Sequence, residues 1–155
     1  MTTPRIHYED FEVGSVFRFG RYEVTREAII AYAKEFDPQP MHLDEKSGEA
    51  SLLGGLAASG WHICAMMMRM CWGGFMAETA SMGAPGIEEM RWMRPVRPGH
   101  ILSLERTVLE KRRSGSRPQM GLVKFRFDLF EAGGERLGRM ENWYMVGVRD
   151  PGAAG

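Results

Sequence analysis

Between Ala57 and Met70 the chain reads Ala-Ala-Ser-Gly-Trp-His-Ile-Cys-Ala-Met-Met-Met-Arg-Met, and its apolar residues cover almost every helical direction. A helix that is apolar all round has to be enclosed by the rest of its fold. The same helix cannot cross a bilayer, because its longest apolar run, Ile63 to Met68, falls far short of the ~20 residues a membrane span requires. The sequence therefore predicts a central helix from about Ala57 to Met70, extending as far as Phe75, with other elements wrapped around it. Its methionines read as filler for irregular core space. His62 and Arg69 are its polar exceptions, and a single His on so apolar a helix reads as a core residue.

The wrapping elements are legible from periodicity. Val16 to Glu23 reads as a first strand, with Val16 and Phe17 its strongest apolar positions. Thr25 is a natural N-cap, and Glu27 sits in the first turn, where the helix dipole favours an acid. The helix that follows runs to Phe36 and carries a stripe of Ile29, Tyr32, Ala33 and Phe36 at helical spacing. Asp44 to Ser51 predicts a short helix with Ala50 facing inward. After the central helix come four strands, at 87–93, 100–110, 122–130 and 137–148. The third alternates cleanly, with Val123, Phe125, Phe127 and Leu129 on one face. Ala132-Gly133-Gly134 is a hairpin turn. Strand, helix, long buried helix and four strands make an α+β fold with one antiparallel sheet.

The stiffest stretch is Asp37-Pro38-Gln39-Pro40-Met41-His42. Two prolines in three residues forbid helix and push their neighbours toward extended backbone. A carboxylate and an imidazole are thus held close together on a loop that cannot relax, and such a pair can polarise water.

These residues are similar to the signature of the R-specific enoyl-CoA hydratases, the MaoC-like dehydratases of the hotdog superfamily. That signature is an aromatic residue, a short helix, Gly-Asp-x-Asn-Pro-aliphatic-His, then an acidic residue. Asp37, Pro40 and His42 match it, while Phe36 replaces the glycine and Gln39 the asparagine. A second motif, Gly54-Gly55-Leu56-Ala57-Ala58-Ser59-Gly60, follows at the family's spacing, with Ser59 where a His is usual. The likeness continues through Pro95-Val96-Arg97-Pro98-Gly99. It implies a single hotdog domain over 1–149, an antiparallel sheet wrapped around the buried helix, and a flexible tail at 150–155. It implies an acyl-thioester hydratase or dehydratase that reversibly adds water to a trans-2-enoyl-CoA to give an R-3-hydroxyacyl-CoA. The alternatives are a hotdog thioesterase and a non-catalytic binder of acyl thioesters.

On this likeness Asp37 and His42 take the paired acid-base roles, and the Gly60 amide receives the thioester oxygen. A backbone N–H in the first turn of a helix is free to do so. Gly55, Ser59 and Arg97 are assigned to substrate binding. Ser59 can hydrogen-bond the thioester or orient Asp37, although a serine at a helix start caps its own backbone by default. Arg97, and the run Lys111, Arg112, Arg113 and Arg117, have guanidinium and ammonium groups suited to the phosphates of coenzyme A. No cofactor or metal is expected, coenzyme A being part of the substrate.

The formal net charge of +0 gives no footprint for nucleic acid or an anionic membrane. Cys64 and Cys71 stand two turns apart on one helix and cannot bridge within it. With no signal-peptide pattern at Met1 to Asp10, the expected setting is the cytoplasm. One curved sheet around one helix leaves an edge to cover, so a homodimer or higher homo-oligomer is expected.

Overall fold

The computed structural model describes residues 3–153. Thr25 begins the first helix as its sequence requires: its side chain accepts the Ala28 amide, and α1 runs Arg26–Phe36. Before it lies β1, Val16–Glu23. A short helix α2, Glu45–Glu49, is capped by Asp44, whose carboxylate accepts from Ser47 N. The central helix α3 spans Gly60–Gly74. Five strands follow: β2 (Ser81–Gly83), β3 (Glu89–Trp92), β4 (Ile101–Arg113), β5 (Met120–Glu131) and β6 (Arg136–Gly147).

The six strands form one sheet in the order β1-β4-β5-β6-β2, with β3 also pairing β6. Every pairing is antiparallel. Alternation along β5 puts Val123, Phe125, Phe127 and Leu129 against α3, all at 1% exposure or less. Met66, Met67, Met70 and Cys71 face them from the helix. On the far side of β5, Asp128 is also buried, held by Arg139 at 2.7 Å and Arg136 at 3.3 Å. An antiparallel sheet curved over one long helix is the hotdog fold. No helix among the described residues is long and apolar enough to cross a membrane.

Several expectations need correction. Helix α3 begins at Gly60, so Ala57 and Ala58 are buried in extended chain before it. It is not enclosed on all sides: Trp61, Met68 and Trp72 are 61%, 45% and 54% exposed. They recur at helical spacing and form an apolar stripe opposite the sheet. Phe36 is exposed rather than part of the α1 stripe, as are Val16 and Phe17 on the edge strand β1. Ala50 faces outward. Strand β2 adds a short strand to the four expected after the central helix, and β4 continues through the basic run to Arg113. Of the expected tail, 150–153 makes a turn closed by Ala153 N on Asp150 O at 3.2 Å, and 154–155 lie outside the described residues.

Candidate active site

The proline loop hangs between the end of α1 and the start of α3. Asp37 is the C-cap of α1, and its amide closes the helix on Ala33 O. Pro40 opens a single 3-10 turn that ends at His42. The opposing loop, 53–59, is drawn against α2 by close backbone contact. A Cβ on Gly48 would stand 2.4 Å from the Gly55 carbonyl carbon, so only glycine allows the approach.

This brings Asp37 and His42 together, with His42 Nε2 3.6 Å from Asp37 Oδ2. The imidazole is fixed from behind. Its Nδ1 is 2.7 Å from the Ala57 carbonyl, which can only accept, so Nδ1 carries the proton. In neutral His42 the lone pair of Nε2 therefore faces the carboxylate. The 3.6 Å gap is too long for a direct hydrogen bond and suits a small molecule touching both groups.

Asp37 has two donors of its own. Ser59 Oγ donates to Oδ2 at 2.6 Å, and Gln39 Nε2 donates to Oδ1 at 2.7 Å. Ser59 first, then Gln39, holds the Asp37 carboxyl below the usual carboxylate range. The group is thus ionised at neutral pH. Ser59 does not cap α3, contrary to the default for a serine there. Its hydroxyl is spent on the carboxylate. Gln39 keeps the amide donor that an asparagine would bring, although it departs from the expected signature.

Asp37, Gln39, His42 and Gly60 line one cavity of about 450 Å³, together with Leu52, Trp61, Ile63, Trp92 and Met93. Gly60 is the first residue of α3, and among the described residues its amide has no acceptor. Helix N-termini present such amides with the positive end of the dipole behind them. The site therefore joins an ionised carboxylate, an imidazole acceptor and a free amide in one concave space.

Other assigned residues lie elsewhere. Neither Gly55 nor Arg97 is on the cavity lining. The Gly55 amide bonds Gly48 O at 3.0 Å, and Arg97 donates to the carbonyls of Leu53 and Leu56. Gly55 ties the 53–59 loop to α2 from within, and Arg97 braces it from outside. In the basic run, Lys111 lies over the Tyr8 ring, Arg112 over Trp143, and Arg113 donates to Pro118 O. His62 is buried and stacked on Tyr32, with ring centroids 4.5 Å apart. Burial pushes its imidazole down, and Nδ1 has no hydrogen-bond partner. Trp61 and Trp92 carried no motif, and only the folded chain brings them to the cavity.

A hotdog sheet carries an Asp-His pair beside a helix N-terminus, groups able to exchange protons with a ligand in the cavity. Residues 10–124 match the family described as the MaoC like domain. The chain belongs to the MaoC-like dehydratase family. A MaoC-like dehydratase from Rhodospirillum rubrum is 39% identical, with a TM-score of 0.83 over 94% of this chain and 99% of that one. The uncharacterized protein YdeM of Bacillus subtilis (strain 168) is 30% identical over 117 residues, 74% of this chain and 80% of its own. The R-hydratase PhaJ1 from Pseudomonas aeruginosa shares the fold, with a TM-score of 0.70 at 19% identity over 97% and 94% of the two chains. Family membership makes hydro-lyase activity the general reaction class.

Proposed function

We propose that this protein reversibly hydrates a trans-2-enoyl thioester of coenzyme A, giving the R-3-hydroxyacyl thioester. The observation that carries the reading is the pair of Asp37 Oδ2 and His42 Nε2, 3.6 Å apart, in the cavity that Gly60 also lines. The choice of coenzyme A and of the R product rests on the resemblance to the R-specific hydratases.

A water held against both Oδ2 and Nε2 is polarised from two sides. One of the pair takes its proton as the oxygen attacks the β-carbon. Electrons then move through the conjugated system onto the thioester oxygen. The Gly60 amide stabilises that developing charge, a contribution that grows in a site shielded from water. When the enolate collapses, the proton is returned at the α-carbon. Water is added across the double bond and the enzyme is unchanged. Ser59 and Gln39 keep Asp37 ionised and oriented through this cycle.

The test is incubation with crotonyl-CoA, following both the conjugated thioester absorbance and free thiol. Loss of absorbance without thiol release is the expected result. Thiol release would make the protein a thioesterase, and no change across a panel of enoyl thioesters would leave only a binding role.

We further propose a homodimer working in the cytoplasm, where Cys64 and Cys71 stay as the free thiols they are here. The apolar stripe of Trp61, Met68 and Trp72 is surface that a second copy would bury. Sedimentation at micromolar concentration should give at least a dimer; an active monomer contradicts this.

A further inference from the structure

The 53–59 loop, which carries Ser59 to Asp37 and leads into Gly60, is strapped by a turn packed against it. Arg97 reaches from that turn to two carbonyls of the loop, with Nη2 on Leu53 O and Nη1 on Leu56 O at 3.4 Å. A planar fork with separate nitrogens suits two acceptors held apart in this way, whereas a lysine ammonium is one compact point. The residue before it, Val96, accepts the Ala58 amide at 2.8 Å. Helix α2 holds the same loop: the Gly55 amide bonds Gly48 O at 3.0 Å, and Leu56 N donates to Glu45 Oε1 at 3.3 Å. Gly55 leaves room for the guanidinium, since a Cβ there would stand 2.6 Å from Arg97 Nη1.

Ala57 lies between these ties, and its carbonyl faces His42, whose Nδ1–H donates to it at 2.7 Å. The bond made by one ring nitrogen of a histidine decides what the other can do. With the proton on Nδ1, Nε2 faces Asp37 as an acceptor, and a water can touch both groups. With the proton on Nε2, the imidazole would donate to the Asp37 carboxylate itself, and its lone pair would be lost to the reaction. The direction of the Ala57 carbonyl therefore selects between a working pair and an idle one.

We propose that Arg97 is a positioning residue: by fixing the carbonyls of Leu53 and Leu56, it aims Ala57 O at His42 and sets the tautomer in which the acid-base pair works. Its influence runs through the backbone, because Arg97 is not on the cavity lining. The effect on turnover rests on reading the cavity as the hydratase site, whereas the effect on the His42 tautomer stands without that reading. Misplacing a reacting group by about 1 Å can cost about 10²-fold in rate. The loss should fall on kcat and leave KM nearly unchanged.

The experiment compares wild type with Arg97→Met and Arg97→Lys, using thermal unfolding to confirm that each is folded. Methionine removes every donor, and lysine keeps the charge without the fork. Two measurements are made on each: the histidine nitrogen-15 NMR spectrum at a pH where imidazole is neutral, and kcat and KM for crotonyl-CoA. The His42 signals are identified by their absence from His42→Ala. His100, whose Nδ1 accepts the Arg97 amide at 3.2 Å, marks change confined to the turn. Wild type should show His42 protonated on Nδ1. Arg97→Met should move His42 to the Nε2–H form or to exchange between the two forms. It should also lower kcat by about 10- to 100-fold while KM stays within about threefold. Arg97→Lys should shift both readouts the same way by less, and it decides the matter if Arg97→Met does not fold. His42 signals unchanged in every folded variant, a wild type already protonated on Nε2, or a KM that rises as steeply as kcat falls would each overturn the proposal. A moved tautomer in a protein that hydrates nothing would uphold the positioning role and refute the hydratase reading.

Discussion

The two ends of α3 each sit beside a charge, and they treat it differently. At the N-terminal end, Asp37 receives hydrogen bonds from Ser59 and Gln39 and faces a cavity. At the C-terminal end, the Arg106 guanidinium carbon lies 4.5 to 5.3 Å from the centroids of Phe75, Phe11, Phe17 and Phe125. No carboxylate among the described residues pairs with it, and its Nε is buried without a partner. Both charges suit the helix dipole, the anion near the N-terminus and the cation near the C-terminus. Only the anion has its hydrogen bonds satisfied and open space before it. A charge held by directional donors can act on a ligand, whereas a charge held by ring faces fills a core. Desolvation accordingly pushes Arg106 down to about 10 and the neighbouring Cys71 thiol up to about 12, far from any working range.

The strongest way to break this contrast is to remove the acid-base pair. Asp37→Asn and His42→Ala should each lower hydration by about 10²–10⁴-fold, with circular dichroism unchanged. A variant that keeps near wild-type kcat takes that residue out of the mechanism.

Gly60→Val should come next. Its side chain would enter the space held by Trp92, so both acyl binding and the chemical step suffer. Outright loss of one oxyanion donor costs about 10²–10³ in kcat, and blocked approach can equal that. Measured kcat and KM should both worsen, and a tolerated Gly60→Val would move the oxyanion site elsewhere.

Ser59→Ala should cost less, on the order of tenfold, for the loss of one hydrogen bond to a charged group. Its informative signature is the pH profile. Asp37 is depressed in the folded protein, so it is ionised, and its stabilising contribution is present, above the unfolded carboxylate value of about 3.9. Both are lost as pH falls through the lower folded value. Without the Ser59 donor the folded value rises, and the acid limb of kcat/KM should move to higher pH. An unmoved limb with lower kcat would mean that Ser59 acts some other way.

The smallest effect belongs to the other end of the helix. Arg106→Met keeps a long side chain among the rings while deleting a charge that has no partner. Hydration should stay within about twofold and Tm should hold or rise, as when poorly compensated buried charge gives way to apolar packing. A tenfold loss of hydration would show that the two ends are coupled and that Arg106 is more than core.

Much of this was legible in local residues. Thr25 marked the helix start because a cap needs only its own next few amides. The alternation of β5 marked its buried face because the pleat has a period of two. Two prolines fixed the Asp37–His42 loop, since ring closure acts on the chain where it occurs. What a side chain meets across the fold was not legible. All-round apolarity in α3 announced burial, yet Trp61, Met68 and Trp72 stand exposed, because periodicity counts apolar surface without saying what covers it. Ser59 was as good a cap as an orienting group until Asp37 arrived 2.6 Å from its hydroxyl. Arg97 matched a motif, but carbonyls of the 53–59 loop claimed its donors. Trp92 had no local pattern at all. Its place against Gly60 depends on β3 pairing with β6 and on α3 crossing beneath, contacts between distant segments that only the closed tertiary structure brings together.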